Sequence, residues 1–489
     1  MKLFFWLIVL CFWGSIKLLA QGLTLNDSAY SVLPQKKSNL VVSPDGLPEK
    51  VDLSLYVPTV IDQGKLGTCV GISSAYYLRT MLEAIRHNIT DKDSIDALRF
   101  SPSFLYNSIK DPNDKNCVRG TEMAVALEFM KNYGVEKFAK QGYPYCAPKQ
   151  TVVLDSTSRI MDYIRLFGLN DRQENIVTAT QKALSENSPV LIAIQTTPSF
   201  DNLGFWSKLW VLLLRFFGFD TGDFGLWKPS KSKSLEGGHA VCVVGYDNVK
   251  FGGAFQVVNS WGKNWGDDGF FWIRYQDYSQ YTKYAYQAYL PVENGEKALL
   301  SGTVSIKLAN LRDTELPFLR QIPDAYSNSS EDLVAYSLRD PQPTDTEYKF
   351  SINVDKQTYL YVLGANANQQ QADKLFPVDS ISPIIGSNTK VILPSEEQVY
   401  ALNKITGTEY WLFLFSENEL KIDSCLNLIN TSKGTFIQRV QAVFDSTLVN
   451  YRQVDYKTKR IGFELRGKHE GTTVPLLIKL RHVRKRGLK

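Results

Sequence analysis

Residues 259–270 read Asn-Ser-Trp-Gly-Lys-Asn-Trp-Gly-Asp-Asp-Gly-Phe, and no other stretch limits the fold of this chain so tightly. The block lies between two apolar runs, Ala254–Val258 and Phe270–Tyr275, each of strand length and rich in β-branched or aromatic residues. Upstream, His239-Ala-Val-Cys-Val-Val-Gly-Tyr246 has the pattern of a buried strand with a histidine at its edge, and Val190–Ile194 reads the same way. Earlier residues carry helical spacing instead, over Ser101–Ile109, Met123–Tyr133 and around Asn175–Glu186. The expectation is a helical half followed by a β half, with a cleft between them.

A second feature opens the helical half. Asp62-Gln63-Gly64-Lys65-Leu66-Gly67-Thr68-Cys69 is a glycine-bearing loop, and Ala75, Leu78, Leu82 and Ile85 then recur with the stripe of an amphipathic helix. Cys69 therefore stands at a helix N-terminus, where the macrodipole favours a thiolate. A thiolate nucleophile needs a basic partner and a group to orient that partner. Histidines are scarce, only 4 in all, and His87 and His239 are those that precede residue 300. His87 lies near the far end of the same helix, about 27 Å along it from Cys69 at 1.5 Å per residue, and cannot reach. His239 can, and Asn259 at the end of the neighbouring strand can fix its tautomer through the side-chain oxygen. A strand-edge histidine is more often structural, but here three matching elements occur together.

These residues resemble the papain-like cysteine peptidases, in particular exported bacterial members. Gln63-Gly64-Lys65-Leu66-Gly67-Thr68-Cys69 is similar to the family's Q-G-x-C-G-S-C-W, His239 opens its H-A-V-x-x-V-G-Y, and Asn259–Phe270 is similar to its N-S-W-G-x-x-W-G-x-x-G-(F/Y). The resemblance covers about residues 51–290. It implies an α+β fold of two lobes, one helical and one β-barrel-like. It implies a peptidase in which Cys69, His239 and Asn259 are catalytic and Gln63 donates to the oxyanion. Trp261 shields the Asn–His hydrogen bond, and no cofactor is required. Gly120 and Gly238 are implied in substrate binding. Val70 stands where the family has Trp, Gly238 where Asp or Asn is common, and Leu66 where a further Cys is usual. With that Cys missing, Cys117 and Cys146, the latter in a family-like Tyr143-Pro144-Tyr145-Cys146, are expected to pair as a disulfide. The peptide-bond hydrolase has two competitors. A catalytically inactive papain-fold binding protein would usually have lost the Cys or His. A transglutaminase-like acyl transferase generally has Asp as its third member.

Composition narrows the class. The net charge of +5 is too small an excess to suggest nucleic acid as a partner, and there is neither an HExxH nor a CxxC pair for a metal. Lys2, the apolar run Leu3–Gly14 and Ala20-Gln21 read as a signal peptide over 1–20, which implies export to the periplasm, cell envelope or medium. Its loss removes Cys11 and leaves an odd set, Cys69, Cys117, Cys146, Cys242 and Cys425, so a free thiol is expected. Residues 21–50 are polar and short beside the long helical propeptides of eukaryotic members.

The peptidase domain is expected over 51–292, with an insertion at 200–238. Within it Trp206, Leu209, Trp210, Leu213 and Phe217 keep helical spacing. That helix, 205–219, would pack on its own domain or touch a membrane surface peripherally, and it is too short to span. Residues 300–489 alternate in short segments, Thr303–Leu308, Tyr348–Val354, Thr358–Leu363, Lys390–Leu393, Glu409–Phe415, Gly462–Leu465 and Val474–Leu480. They predict an all-β, sandwich-like accessory domain that binds an envelope partner or positions the enzyme. It resembles, weakly, a bacterial domain of unknown function appended to exported enzymes. His469 and His482 have no cysteine or carboxylate constellation beside them in sequence.

Overall fold

The computed structural model describes residues 22–36, 41–42, 46–149, 158–203, 224–230, 237–291, 300–308, 318–321, 333, 335–338, 340–378, 380–467 and 469–485. The expected signal peptide and the 205–219 helix lie outside these residues. Among the described residues no helix is long and apolar enough to cross a membrane.

Two compact units emerge, each assembled from three separate stretches. The first takes residues up to Asp27, then Asp52–Met161 and Pro189–Ala285; the second takes Ser28–Val51, Asp162–Ser188 and Tyr286–Lys489.

In the first unit the helix that begins at Cys69 is the central element. It is α-helical over Cys69–Gly71, widens to π-helical over Ile72–Arg79 and returns to α over Thr80–Arg86. The stripe read from the sequence describes one face, but every residue from Cys69 to Leu82 is buried. The reason is packing on two sides: the helices Pro102–Ile109 and Met123–Asn132 cover one face and the strands Val190–Thr196 and Gly237–Asp247 another. Pro102 sits in the first turn of its helix, where its missing N–H costs nothing, and the Ser101 hydroxyl accepts from Phe104 N at 3.0 Å. The sheet runs antiparallel from Val190–Thr196 through Gly237–Asp247 and Ala254–Val258 to Phe270–Arg274, with Leu226–Trp227 added in parallel. Cys242 is a buried free thiol in this sheet. It donates to Ser73 O at 3.1 Å, while Ser73 Oγ donates to Ala240 O at 2.7 Å. These two bonds stitch the helix to the strand that carries His239.

The second unit contains a sandwich of two sheets. One orders Val41–Val42, Thr389–Leu393, Glu347–Val354, Ser301–Leu308, Gly462–Leu465 and Val454–Tyr456; the other orders Phe318–Gln321, Ala335–Leu338, Thr473–Val483, Gly407–Ser416, Thr358–Asn366 and Ala372–Phe376. The alternation in Glu347–Val354 turns Tyr348, Phe350, Ile352 and Val354 inward. There Phe350 meets Phe413 of the opposite sheet edge-on at 5.0 Å, and Phe415 meets Phe463 at 4.9 Å. All seven segments read as strands from sequence are strands.

Two features are absent from the sequence reading. Helices Ile422–Thr431 and Phe436–Phe444 interrupt the β pattern, the second started by a capping box between Thr435 and Gln438. His469 and His482, without neighbours in sequence, each acquire a glutamate. His482 Nδ1 lies 2.8 Å from Glu409 and His469 Nε2 lies 3.3 Å from Glu417. The antiparallel pairing of Gly407–Ser416 with Thr473–Val483 brings Glu409 beside His482, a neighbourhood no local pattern encodes.

Candidate active site

Cys69, at the head of the central helix, is fully buried and carries a free thiol. His239 is also fully buried, near the start of its strand and paired with Ile194. Its Nε2 lies 2.7 Å from Asn259 Oδ1, which also accepts from Ser260 N at 2.8 Å. An acceptor at Nε2 places the ring proton there, so Nδ1 is the basic nitrogen. That Nδ1 is buried and has no hydrogen-bond partner, and neither has Asn259 Nδ2. Asn259 is fixed through its backbone: its N–H donates to Gly269 O at 2.9 Å and Tyr77 Oη donates to its carbonyl at 3.0 Å.

Gln63 reaches the site because the loop before Cys69 pairs with the block after Asn259. Gln63 N donates to Ser260 O at 2.7 Å, Gly262 N donates to Ile61 O at 3.2 Å, and Asp62 bridges Trp261. Ser260 Oγ donates to Gln63 Oε1 at 2.5 Å, which orients the carboxamide so that its NH₂ faces away from the serine; Nε2 donates to Leu66 O at 3.0 Å. Ser260 thus aims Gln63, a role that the sequence pattern does not single out.

An aromatic cage encloses the imidazole. Trp261 lies 5.1 Å from the His239 ring, tilted by 34°, and Trp265 stands edge-on to Trp261 at 5.3 Å. Phe200 touches both tryptophans, Phe271, Trp227 and the His239 ring itself at 6.1 Å. The sequence pattern marks Phe200 only as the start of an insertion. Its place directly after the strand Val190–Thr196, whose Ile194 pairs with His239, is the one available signal. The cage excludes water from the Asn259–His239 bond, which strengthens it.

Gly120 and Gly238 meet a segment of this same chain. Leu23 bridges Thr121 in parallel and Gly238 antiparallel. Thr121 N donates to Gly22 O and Thr24 N to Thr121 O, both at 3.0 Å. The fit is close: a Cβ on Gly22 would fall 2.0 Å from Gly67 O, and one on Gly120 would fall 2.3 Å from Gly22 O. Gly120 also has φ +82°, which suits glycine alone. A Cβ on Gly238 would meet Leu23 at 3.2 Å, so a bare position there leaves room for the segment. Nearby, Cys117 and Cys146 form a disulfide with Cα atoms 6.0 Å apart.

Burial shifts the proton affinities of both groups. Desolvation pushes the Cys69 thiol up to about 11, against the N–H groups of Ala240, Gly22 and Val70 that favour the thiolate. Desolvation likewise pulls His239 down to about 4, partly offset by the Asn259 bond. Burial thus opposes the thiolate that the helix N-terminus favours. A helix end contributes at most about 1–2 kcal/mol, less than the cost of burying the charge.

An acceptor-held imidazole with a free basic nitrogen, beside a helix headed by a cysteine, can take a thiol proton and return it to a leaving group. Both groups sit on a body of helices packed against a β-sheet. The model of the papain family cysteine protease matches residues 47–204 and 217–292. Cysteine proteinase 3 of Entamoeba histolytica is 24% identical over 241 residues, 49% of this chain and 67% of its own length. Cysteine proteinase EP-B 1 of Hordeum vulgare is 28% identical over 220 residues, 44% of this chain and 50% of its own. This chain thus spans from half to about two thirds of these relatives. Among solved structures, xylellain, a cysteine protease from Xylella fastidiosa, has 21% identity and a TM-score of 0.40, covering 57% of this chain and 99% of its own. Residues 47–204 and 217–292 are thus similar to the papain family cysteine proteases.

Proposed function

We propose that the protein is a cysteine endopeptidase that hydrolyses peptide bonds through Cys69, His239 and Asn259. One observation carries this reading: Asn259 holds His239 at 2.7 Å through Nε2 and leaves the buried Nδ1 as a base without a partner. Once the cleft is open to solvent and substrate, Nδ1 takes the Cys69 proton and the thiolate adds to a peptide carbonyl. The Cys69 N–H and the Gln63 carboxamide stabilise the oxyanion, about 3 kcal/mol for each donor. His239 then protonates the leaving amine, and water hydrolyses the thioester, restoring the thiol. Gly120 and Gly238 would line the bound peptide, as they line Gly22 and Leu23 here.

The alternative, an inactive papain-fold binding protein, is disfavoured by the retention of Gln63, Cys69, His239 and Asn259 together. Export is supported by the pattern over residues 1–20. A division of the chain at 292–300, a membrane contact through 205–219 and an envelope partner for 300–489 rest on sequence pattern alone. Treating the protein with an irreversible thiol-directed epoxide and mapping the adduct tests the central claim. Modification at Cys69 that abolishes peptide hydrolysis is expected; full hydrolysis by a Cys69→Ala variant would end it.

A further inference from the structure

Lys110 directly follows the helix Pro102–Ile109 and is 2% exposed. Its Nζ lies 3.2 Å from Cys117 Sγ and 3.5 Å from Cys146 Sγ, the two sulfurs of the disulfide. Among the described residues no carboxylate pairs with it. Asp114 is near enough to feel its charge but is committed elsewhere: it accepts from Tyr106 Oη at 2.6 Å, Val118 N at 3.1 Å and Arg119 N at 3.3 Å. The C-terminal end of the helix offsets part of the charge. Disulfide sulfur is a weak acceptor, so a buried ammonium with two such partners is poorly served.

A thiolate would serve it far better. The two cysteines differ in access: Cys146 is exposed, whereas Cys117 is buried and lies nearer the ammonium. An attacking thiol therefore meets Cys146, and Cys117 is the sulfur expelled. Exchange is faster when the departing sulfur is the better-stabilised anion, and a cation beside a cysteine supplies that stabilisation. Cys117 is also tied to the candidate cleft. Its carbonyl accepts from Gly67 N at 2.8 Å, just ahead of Cys69 in the chain. Gly120 N, which donates to Tyr106 Oη at 3.0 Å, would stand 2.8 Å from a Cβ on Gly67.

We propose that Cys117, Cys146 and Lys110 form a thiol–disulfide exchange site for an external dithiol, and that its redox state governs the hold of Cys117 on Gly67. One thiolate of the dithiol adds to Cys146 Sγ. The Cys117–Cys146 bond breaks, and its electron pair leaves with Cys117, whose thiolate Lys110 then holds. The second thiol of the reagent, its proton lost to solvent, attacks the reagent's own sulfur in the mixed disulfide and expels Cys146 as a thiolate. The reagent ends as a disulfide, oxidised by two electrons, and the cysteine pair is reduced by two. With the bond open, the carbonyl that fixes Gly67 loses its anchor to Cys146. None of these steps requires Cys69 to act as a nucleophile.

The test equilibrates the full chain with mixtures of reduced and oxidised dithiothreitol, then alkylates it and maps Cys117 and Cys146. Lys110→Met removes the charge and keeps an unbranched side chain. It should shift the equilibrium at least about tenfold toward the disulfide, about 30 mV for a two-electron couple, and slow reduction by a similar factor. Lys110→Gln repeats the measurement should Lys110→Met fail to fold. Brief treatment of the parent with glutathione should leave the mixed disulfide on Cys146 and an alkylatable thiol at Cys117. A bond that excess dithiothreitol cannot open in the folded parent, a mixed disulfide on Cys117 instead, or unchanged equilibrium and rate in a folded Lys110 variant would overturn the exchange site. Amide exchange at Gly67 should quicken at least about tenfold on reduction. Unchanged protection there would overturn the link to the cleft.

Discussion

Two buried histidines, one in each unit, have opposite accounts of their nitrogens. His482 in the β unit is fully served: Glu409 lies at Nδ1 at 2.8 Å and Thr344 Oγ1 at Nε2 at 3.2 Å, with Asn366 holding the carboxylate. His239 has Asn259 on one side and nothing on the other. Leaving a polar atom buried and unpaired costs about 1–3 kcal/mol, so a fold retains it only where something offsets the loss. The complete set marks structure. The incomplete set is what the proposed base requires, and Asn259 Nδ2 and Trp261 Nε1 are also unpartnered.

That contrast breaks first at the nucleophile. Cys69→Ser and His239→Ala should each lower kcat/KM on a peptide by about 10³-fold or more, with melting nearly unchanged, while Asn259→Ala should cost about 10- to 100-fold because it only orients the base. Kinetics of the three variants on a small peptide would decide; an inert Asn259→Ala would remove it from the site.

The next largest effect concerns the division between units. A chain ended near Asn294 keeps every residue of the candidate site but takes from Gln35 its partners Ser380 and Ser382, and from Asp162 its bond with Tyr359 at 3.1 Å. Its melting temperature should fall by about 10 °C or more, several kcal/mol for a chain of this size. An unshifted melting curve would mean that the cleft-bearing part stands alone, as the sequence pattern suggests.

The Cys117–Cys146 bond closes a loop with a sequence separation of 29. Replacing both by serine should cost about 3 kcal/mol, read as a lower denaturant midpoint, and a change below about 1 kcal/mol would show that Gly120 is held by other contacts.

Acid titration probes the incomplete histidine. Folding holds His239 neutral, with its proton affinity lowered from 6.5 to about 4. Between these values the unfolded chain binds more protons, so stability falls as pH drops from about 6.5 and levels off near 4, by about 3 kcal/mol in all. Cys69 acts in the other direction: its thiol stays protonated up to about 11 in the fold, against 9.0 ordinarily, so stability falls as pH rises through that interval. His239→Gln should flatten the acid limb and leave the alkaline one. An identical acid limb in His239→Gln would assign it to other groups.

The smallest effect belongs to the complete set. His482→Ala leaves Glu409 buried beside Asn366 and should cost about 2 kcal/mol without altering kcat/KM. A loss of turnover at unchanged stability would make the two histidines alike and dissolve the comparison.

Local pattern is enough for much of this. Alternation marks Glu347–Val354 and Gly462–Leu465 as strands because half-buried strands must alternate, and Ala254–Val258 is legible because both its faces are covered. The helix pair 422–444 is not legible, because its apolar residues stand against a β background. Cys69, His239 and Asn259 are legible because each stands at the end of an element, beside glycines and tryptophans that few other folds require. Their proton states are not, since burial is a property of everything packed around a group. Ser260 behind Gln63, Phe200 against His239, Glu409 beside His482 and Gly22 over Cys69 are invisible for the same reason. Sequence determined which side chains are candidates for chemistry and which segments are strands, because propensity and periodicity are local. The tertiary structure alone decided that the thiol is buried and that one nitrogen of His239 is left bare, because both depend on partners far away along the chain.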